Sequence, residues 1–176
     1  PKKITCVGRL IGEYYDKIPS DLTAEQILIR AVNIGSVRSG QRVGSDGMKN
    51  FLKNIGVLSK IKFDIEEVGV PISFRWGKCK LATASFGHGI TTTPLQLAKG
   101  YSIISNGGFN IKPKLIKKES EESEKVRILN EEVSKKINPI LRKIVSTKEG
   151  TANFANIDGY EVGGKTGTAQ NSFNGV

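Results

Sequence analysis

The chain is poor in the residues that most often carry catalysis, bind metal or cross a membrane. It has one histidine, His88, so Ser-His-Asp or Cys-His catalysis is excluded unless His88 is its histidine. Zinc chemistry lacks a ligand cluster, and neither a metal nor a cofactor is expected. The two cysteines, Cys6 and Cys79, are too few and too far apart in sequence for a C-x-x-C redox pair, and they fix no compartment. No apolar run reaches the roughly eighteen residues of a membrane helix, and no charged, apolar and small-residue succession marks a signal peptide. Any nucleophilic chemistry would have to use a lysine as its base.

What is present is ordinary globular composition: 176 residues, 38% hydrophobic and 25% charged, enough for one domain with a real core. The net charge of +10 is uneven, with +11 over residues 1–118, −4 over 119–132 and +3 over 133–176. A basic surface can serve nucleic acid, anionic headgroups or an acidic polymer. The lysines, however, are scattered rather than interleaved with aromatics, which favours a solvated surface and no nucleic-acid partner. Pro1 as first residue and an end just past a strand pattern suggest a piece of a longer protein.

The stretch Gly159-Tyr-Glu-Val-Gly-Gly-Lys-Thr-Gly-Thr-Ala-Gln170 carries the chemistry. It satisfies G-x-x-x-x-G-K-[ST], the phosphate-cradling pattern, and Lys165-Thr166-Gly167 also satisfies the K-T-G element of penicillin-interacting serine enzymes. A phosphate loop needs a buried strand before it and a helix after it, and this segment shows neither pattern. The K-T-G reading asks for a strand along a pocket, which Tyr160, Val162 and their neighbours suggest by alternation. Lys165 then supplies a fixed positive charge for a substrate carboxylate, and Thr166 and Thr168 add hydroxyl donors. Gly167 lets a substrate backbone approach, and the backbone N–H of Thr168 is free to face a developing oxyanion.

Along the rest of the chain, Thr23 and Gln26 form a capping box opening a helix with Ile27, Leu28 and Ala31 on its apolar face, ending near Val32–Asn33. A weaker helix over 34–44 and a third capped by Ser45, with Met48, Phe51, Leu52 and Ile55 at helical spacing, follow. Residues 57–80 read as a long surface connection. Thr93, Pro94 and Gln96 open another helix, with Leu97, Ala98, Tyr101 and Ile104 as its buried face, stopped by Asn106-Gly107-Gly108. Residues 111–116 and 126–129 read as strands around an acidic, solvated tip. Asn130 caps a helix carrying Val133, Ile137, Ile140, Leu141, Ile144 and Val145, which Pro139 should kink or divide. The last strand covers 160–170.

Several of these segments together resemble the transpeptidase domain of class B penicillin-binding proteins, most like the cell-division type. They are Gly163-Gly-Lys-Thr-Gly-Thr-Ala-Gln170, Thr83-Ala-Ser-Phe-Gly-His-Gly-Ile90 with Thr93-Pro-Leu-Gln-Leu-Ala98, Asn106-Gly-Gly108, and Leu22-Thr23 leading through Ile27-Leu28 to Asn33-Ile-Gly35. The resemblance spans nearly the whole chain and implies an α/β fold, a mostly antiparallel sheet flanked by helices beside a helical subdomain, here incomplete. Residues of about 20–80 would belong to the helical subdomain, and those of about 81–176 to the sheet and core helices. It also implies a serine acyltransferase that cross-links peptidoglycan stem peptides and is acylated by β-lactams, the parent protein being anchored in the bacterial inner membrane among cell-division proteins with this domain in the periplasm.

Carried over residue by residue, the resemblance assigns Lys165 and the Thr168 backbone amide to catalysis, and Asn33, Thr166, Gly167 and Thr168 to substrate binding. Two departures stand out. No serine is followed at S-x-x-K spacing by a lysine at a convincing helix start, so the nucleophile is expected upstream and this segment alone is expected to be inactive. The S-x-N motif reads Ala31-Val32-Asn33, without its serine, which leaves open a catalytically degenerate homologue. A nonenzymatic basic binding module is the remaining alternative. Without the resemblance, Asn33 reads as a helix C-cap, His88 as a loop residue beside the site, and Ser85 as support for its wall.

Overall fold

The computed structural model describes residues 3–6, 8–15, 17–65, 69–72, 76–77, 79–116 and 125–167. Its elements are a hairpin of β1 (Thr5–Cys6) and β2 (Arg9–Leu10), then α1 (Ala24–Ile29), α2 (Asn33–Asn54), α3 (Lys80–Ala84), α4 (Pro94–Ser105) and α5 (Glu131–Ser146), with a short 3-10 turn at Asn153–Ala155. They fall into two compact units, residues 1–48, 74–90 and 139–176 in one and residues 49–73 and 91–138 in the other.

In the first unit the hairpin pairs Thr5 with Leu10 and Cys6 with Arg9, turning at Gly8, whose φ of 74° suits glycine. Cys6 is disulfide-bonded to Cys79, 73 residues away in sequence with the Cα atoms 5.5 Å apart. The Thr23–Gln26 capping box forms as expected. Helix α1 nevertheless stops early, because Ala31 adopts a left-handed φ of 55° and the chain restarts at Asn33 as a new helix. The expected apolar face is therefore displaced: Ile27, Leu28 and Ala31 are only half-buried, and the core is built by Ile29 and Val32 together with Val37, Ala82, Ala84, Leu141, Ile144, Val145 and Ala152. Gly40 has no room for a Cβ, since the Ser85 side chain fills that space while its hydroxyl donates to the Leu81 carbonyl at 2.6 Å. Ser85 is thus a packing residue between two helices, with no strand beside it among the described residues.

Helix α2 joins the two helices expected over 34–44 and from Ser45, and the break between them survives as non-helical backbone at Gly44, with φ of 78° and ψ of 167°. In the second unit Leu52 and Ile55 are buried as expected, but Phe51 is exposed. Helix α4 has its Thr93–Gln96 capping box and Pro94 in the first turn. Its buried face is one step from the expected one: Gln96, Gly100 and Ile103 point inward and Leu97 is exposed.

Gln96 causes that rotation. Its side chain is fully buried, and its Nε2 donates towards the carbonyls of Gly56, Val57 and Ser59 at 3.3, 3.4 and 2.6 Å. Its Oε1 accepts the Thr93 amide at 2.8 Å. One polar residue therefore satisfies the start of α4 and the carbonyls just beyond α2, which a leucine could not do. Gln96→Leu is expected to lower stability by about 2–4 kcal/mol, through orphaned carbonyls and a lost cap. Denaturant unfolding checks this, and a loss under 1 kcal/mol would show that water replaces the amide.

The sheet is thinner than the strand patterns suggest. Among the described residues, 111–116 form no ladder, the expected return strand contributes one isolated bridge, Phe109 with Arg127, and residues 160–167 carry no strand pairing. The acidic tip and residues 168–170 lie outside the described residues. Alternation marks a candidate strand, but a strand also needs a neighbour, and among the described residues, 111–116 and 160–167 have no ladder partner. The K-T-G segment instead hooks onto a helix, the Gly164 amide donating to the Leu141 carbonyl at 3.1 Å. Asn130 caps α5 through its Oδ1, which accepts the Glu132 amide at 3.0 Å, and Pro139 does not divide that helix. Leu141, Ile144 and Val145 are buried as expected, whereas Val133 is exposed.

Candidate active site

The Gly164 hook places Lys165 and Thr166 alongside α5 and the turn that follows it. Lys165 is half-buried, and that desolvation pushes its ammonium pKa below the usual lysine value. The ammonium donates to the carbonyl and to the hydroxyl of Thr166 at 3.1 and 3.2 Å. No carboxylate pairs with it among the described residues. A partly dehydrated cation held only by neutral oxygens is what an incoming carboxylate would neutralise.

The Thr166 hydroxyl lies 2.8 Å from that of Thr151, so one hydroxyl can donate to the other and the pair can rotate to present a proton to an anion. Thr151 was not evident from sequence: it lies fifteen positions upstream in a turn, and no motif marks it. Gly167 is exposed, with nothing near the position a Cβ would take, so close backbone approach is sterically open there. Thr168, the expected oxyanion donor, lies outside the described residues.

Asn33 sits at the first residue of α2, which corrects the C-cap alternative: it begins a helix rather than ending one. Its Nδ2 donates to the Gly12 carbonyl at 2.8 Å, while its Oδ1 has no hydrogen-bond partner among the described residues and remains available as an acceptor. The Glu13 carboxylate accepts the Asn33 and Ile34 amides at 2.7 and 2.8 Å, placing a negative charge on the positive end of α2. Glu13 was also missed, because a cap supplied from twenty residues upstream leaves no local signature. Among the described residues no hydrogen bond joins Asn33 to Lys165.

Between α1 and α2, Ala31 is the only non-glycine among the described residues with a positive φ, a conformation that costs roughly 1–2 kcal/mol and is often found where geometry serves function. Val32, the next residue, is only 4% exposed. The backbone of the S-x-N motif is therefore held firmly even though its serine is alanine. His88 is half-buried, its ring facing that of Phe86 at 6.2 Å between centroids and its amide donating to the Thr83 carbonyl at 2.9 Å, the arrangement of a turn residue. Ser59-Lys60-Ile61-Lys62 has the literal S-x-x-K spacing, but it follows the end of α2 as irregular backbone, so it lacks the helical turn that would set Lys62 over Ser59.

Compared with known proteins, residues 4–175 match the model of the penicillin binding protein transpeptidase domain. The chain belongs to that family. Stage V sporulation protein D of Bacillus subtilis is 34% identical over 160 residues, which are 82% of this chain and 24% of that protein. A probable peptidoglycan D,D-transpeptidase FtsI of Caulobacter vibrioides is 31% identical over 166 residues, 92% of this chain and 28% of that one. This chain thus spans about a quarter of the length of these relatives. The fold agrees: penicillin-binding protein 3 of Mycobacterium tuberculosis, solved with aztreonam, superposes with a TM-score of 0.88 at 23% identity, covering 99% of this chain and 43% of that one. The transpeptidase domain of Burkholderia pseudomallei penicillin-binding protein 3 gives the same TM-score over 53% of its chain. The class B, division-type character expected from the motifs accords with these relatives.

Within the transpeptidase family, then, the K-T-G element stands intact at Lys165–Gly167, the S-x-N element is reduced to its asparagine, and the S-x-x-K spacing occurs only in irregular backbone.

Proposed function

We propose that this chain supplies the carboxylate-binding wall of a peptidoglycan D,D-transpeptidase, with the nucleophilic serine contributed by sequence outside residues 1–176. The observation that carries the reading is Lys165, a half-buried ammonium with no carboxylate partner among the described residues, backed by the coupled hydroxyls of Thr166 and Thr151. On this reading Lys165 and Thr166 hold the terminal carboxylate of a D-Ala-D-Ala stem peptide or the equivalent carboxylate of a β-lactam. Asn33 accepts a substrate amide proton at Oδ1, and the Thr168 amide donates to the oxyanion as the serine adds to the carbonyl.

The finer parts of the reading concern the cell. Membrane anchorage of the longer protein, a periplasmic position for this domain and partnership with division proteins are what the resemblance to the cell-division type implies, and they belong to the same proposal. The Cys6–Cys79 disulfide fits an oxidising compartment as well. Among the described residues no helix is long and apolar enough to cross a membrane.

Labelling with a fluorescent penicillin tests the proposal. The longer protein should carry the label on a serine outside residues 1–176, and residues 1–176 alone should stay unlabelled. A labelled serine inside this range, Ser59 above all, would contradict it.

A catalytically degenerate homologue is the second reading, and Ala31 is the observation that favours it. Ala31→Ser in the longer protein separates the two. General acid–base assistance is worth about two to four orders of magnitude, so a live nucleophile hampered only by the missing hydroxyl should gain at least about tenfold in acylation rate. Serine and alanine bear similar cost at a left-handed φ, so stability should hold within roughly 0.5 kcal/mol. Changing Val32 as well would confuse the test, because serine there would bury a hydroxyl in the core. Equal rates would show that position 31 does not limit the chemistry.

A further inference from the structure

In the second unit, the segment after α2, helix α4 and the chain around Asn110 surround a cavity of about 310 Å³. Its lining includes Lys60, Lys62, Lys99 and Lys112, with Ser59 and Asn110 as further donors. None of the four ammonium groups has an ion-pair partner among the described residues, and no carboxylate lines the cavity. Four like charges around one opening repel one another, an arrangement that water only partly relieves and a bound anion would offset.

Two local features bear on these cations. Gly56 and Ser59 line the same cavity, and their carbonyls accept from the Gln96 amide. Gly56 is left-handed with φ of 84°, and the Lys99 side chain lies against it: a Cβ there would be at ordinary contact distance, 3.4 Å from the ammonium nitrogen and 3.6 and 3.7 Å from the last two carbons. Lys99 is half-buried, and the resulting desolvation lowers its pKa, so its charge is costly until something negative meets it.

We infer that this cavity is a binding site for a multiply charged phosphate group, of the pyrophosphate or phosphodiester class. Lysine ammoniums are point charges with donors in several directions and suit the tetrahedral oxygens of phosphate. No guanidinium lines the cavity to grip a planar carboxylate in two-pronged fashion. Its volume is at the low end of small-ligand sites, enough for a headgroup-sized anion. The site involves neither Lys165 nor Asn33 and stands whether or not the transpeptidase reading does.

The test is calorimetric titration of the intact protein with pyrophosphate, alongside Lys62→Gln, Lys99→Gln and the control Lys148→Gln, whose lysine is exposed in the other unit. Saturable binding is expected, with Kd raised about tenfold by Lys62→Gln or Lys99→Gln and by less than about twofold by Lys148→Gln. Lys62 is exposed, so its replacement leaves the fold intact even if Lys99→Gln does not. Sedimentation with phosphatidylglycerol vesicles, against phosphatidylcholine, identifies the source. Lys62-dependent vesicle binding assigns the phosphate to a lipid headgroup, and pyrophosphate binding without it assigns a soluble phosphate. Absence of saturable pyrophosphate binding, or an equal loss on Lys148→Gln, would overturn the inference.

Discussion

Lys165→Ala in the longer protein is expected to slow β-lactam acylation about a hundredfold while leaving thermal stability almost unchanged. A hydrogen bond to a charged group in a partly dehydrated site is worth about 1.5–3 kcal/mol, and each 1.36 kcal/mol of barrier is a factor of ten. Against folding the lysine does little, since its ammonium bonds only to the neighbouring threonine and its burial already disfavours the charge. Its removal should shift the melting midpoint by no more than about 2 °C. The charge also gives the reaction a pH signature. Because desolvation holds the pKa below the ordinary lysine value, the ammonium is lost as pH rises through that lowered pKa, at a lower pH than for an ordinary lysine, taking the carboxylate's partner with it. Acylation should fall on that alkaline limb, and Lys165→Arg, charged throughout, should flatten it. Stopped-flow acylation across pH decides the matter. Unchanged rates for Lys165→Ala at unchanged stability would remove the lysine from the site.

Cys79→Ser should cost the first unit about 4 kcal/mol, the expected entropic effect of opening a cross-link spanning some 73 residues. Cys6→Ser and the double variant should lose the same amount rather than twice as much, because all three remove one bond. A reductant should bring the unaltered protein to the same level. Denaturant unfolding under oxidising and reducing conditions reads this directly, and a difference below 1 kcal/mol would mean that the hairpin and α3 are held together by packing alone.

Much of the helical framework was legible in the sequence because its signals are local. The capping boxes at Thr23 and Thr93 and the break at Gly44 occur where expected, since each depends on residues within one turn. Buried faces were less legible. Periodicity places Leu97 and Tyr101 inward in α4, but Gln96 is what the carbonyls beyond α2 demand, and that demand comes from about forty residues away. Strands were least legible, because alternation at residues 160–167 cannot say whether a partner strand exists. The candidate site divides in the same way. Lys165, Thr166 and Gly167 carry a motif, whereas Thr151 and Glu13 act through contacts that no pattern announces, and the Cys6–Cys79 bond joins residues whose spacing implied nothing.

A structure of the longer protein acylated by a penicillin tests the central claim most directly. The account predicts that the antibiotic carboxylate lies within hydrogen-bonding distance of the Lys165 ammonium and the Thr166 hydroxyl, with the Asn33 Oδ1 facing the side-chain amide. A carboxylate held elsewhere, with Lys165 still bonded only to Thr166, would contradict it.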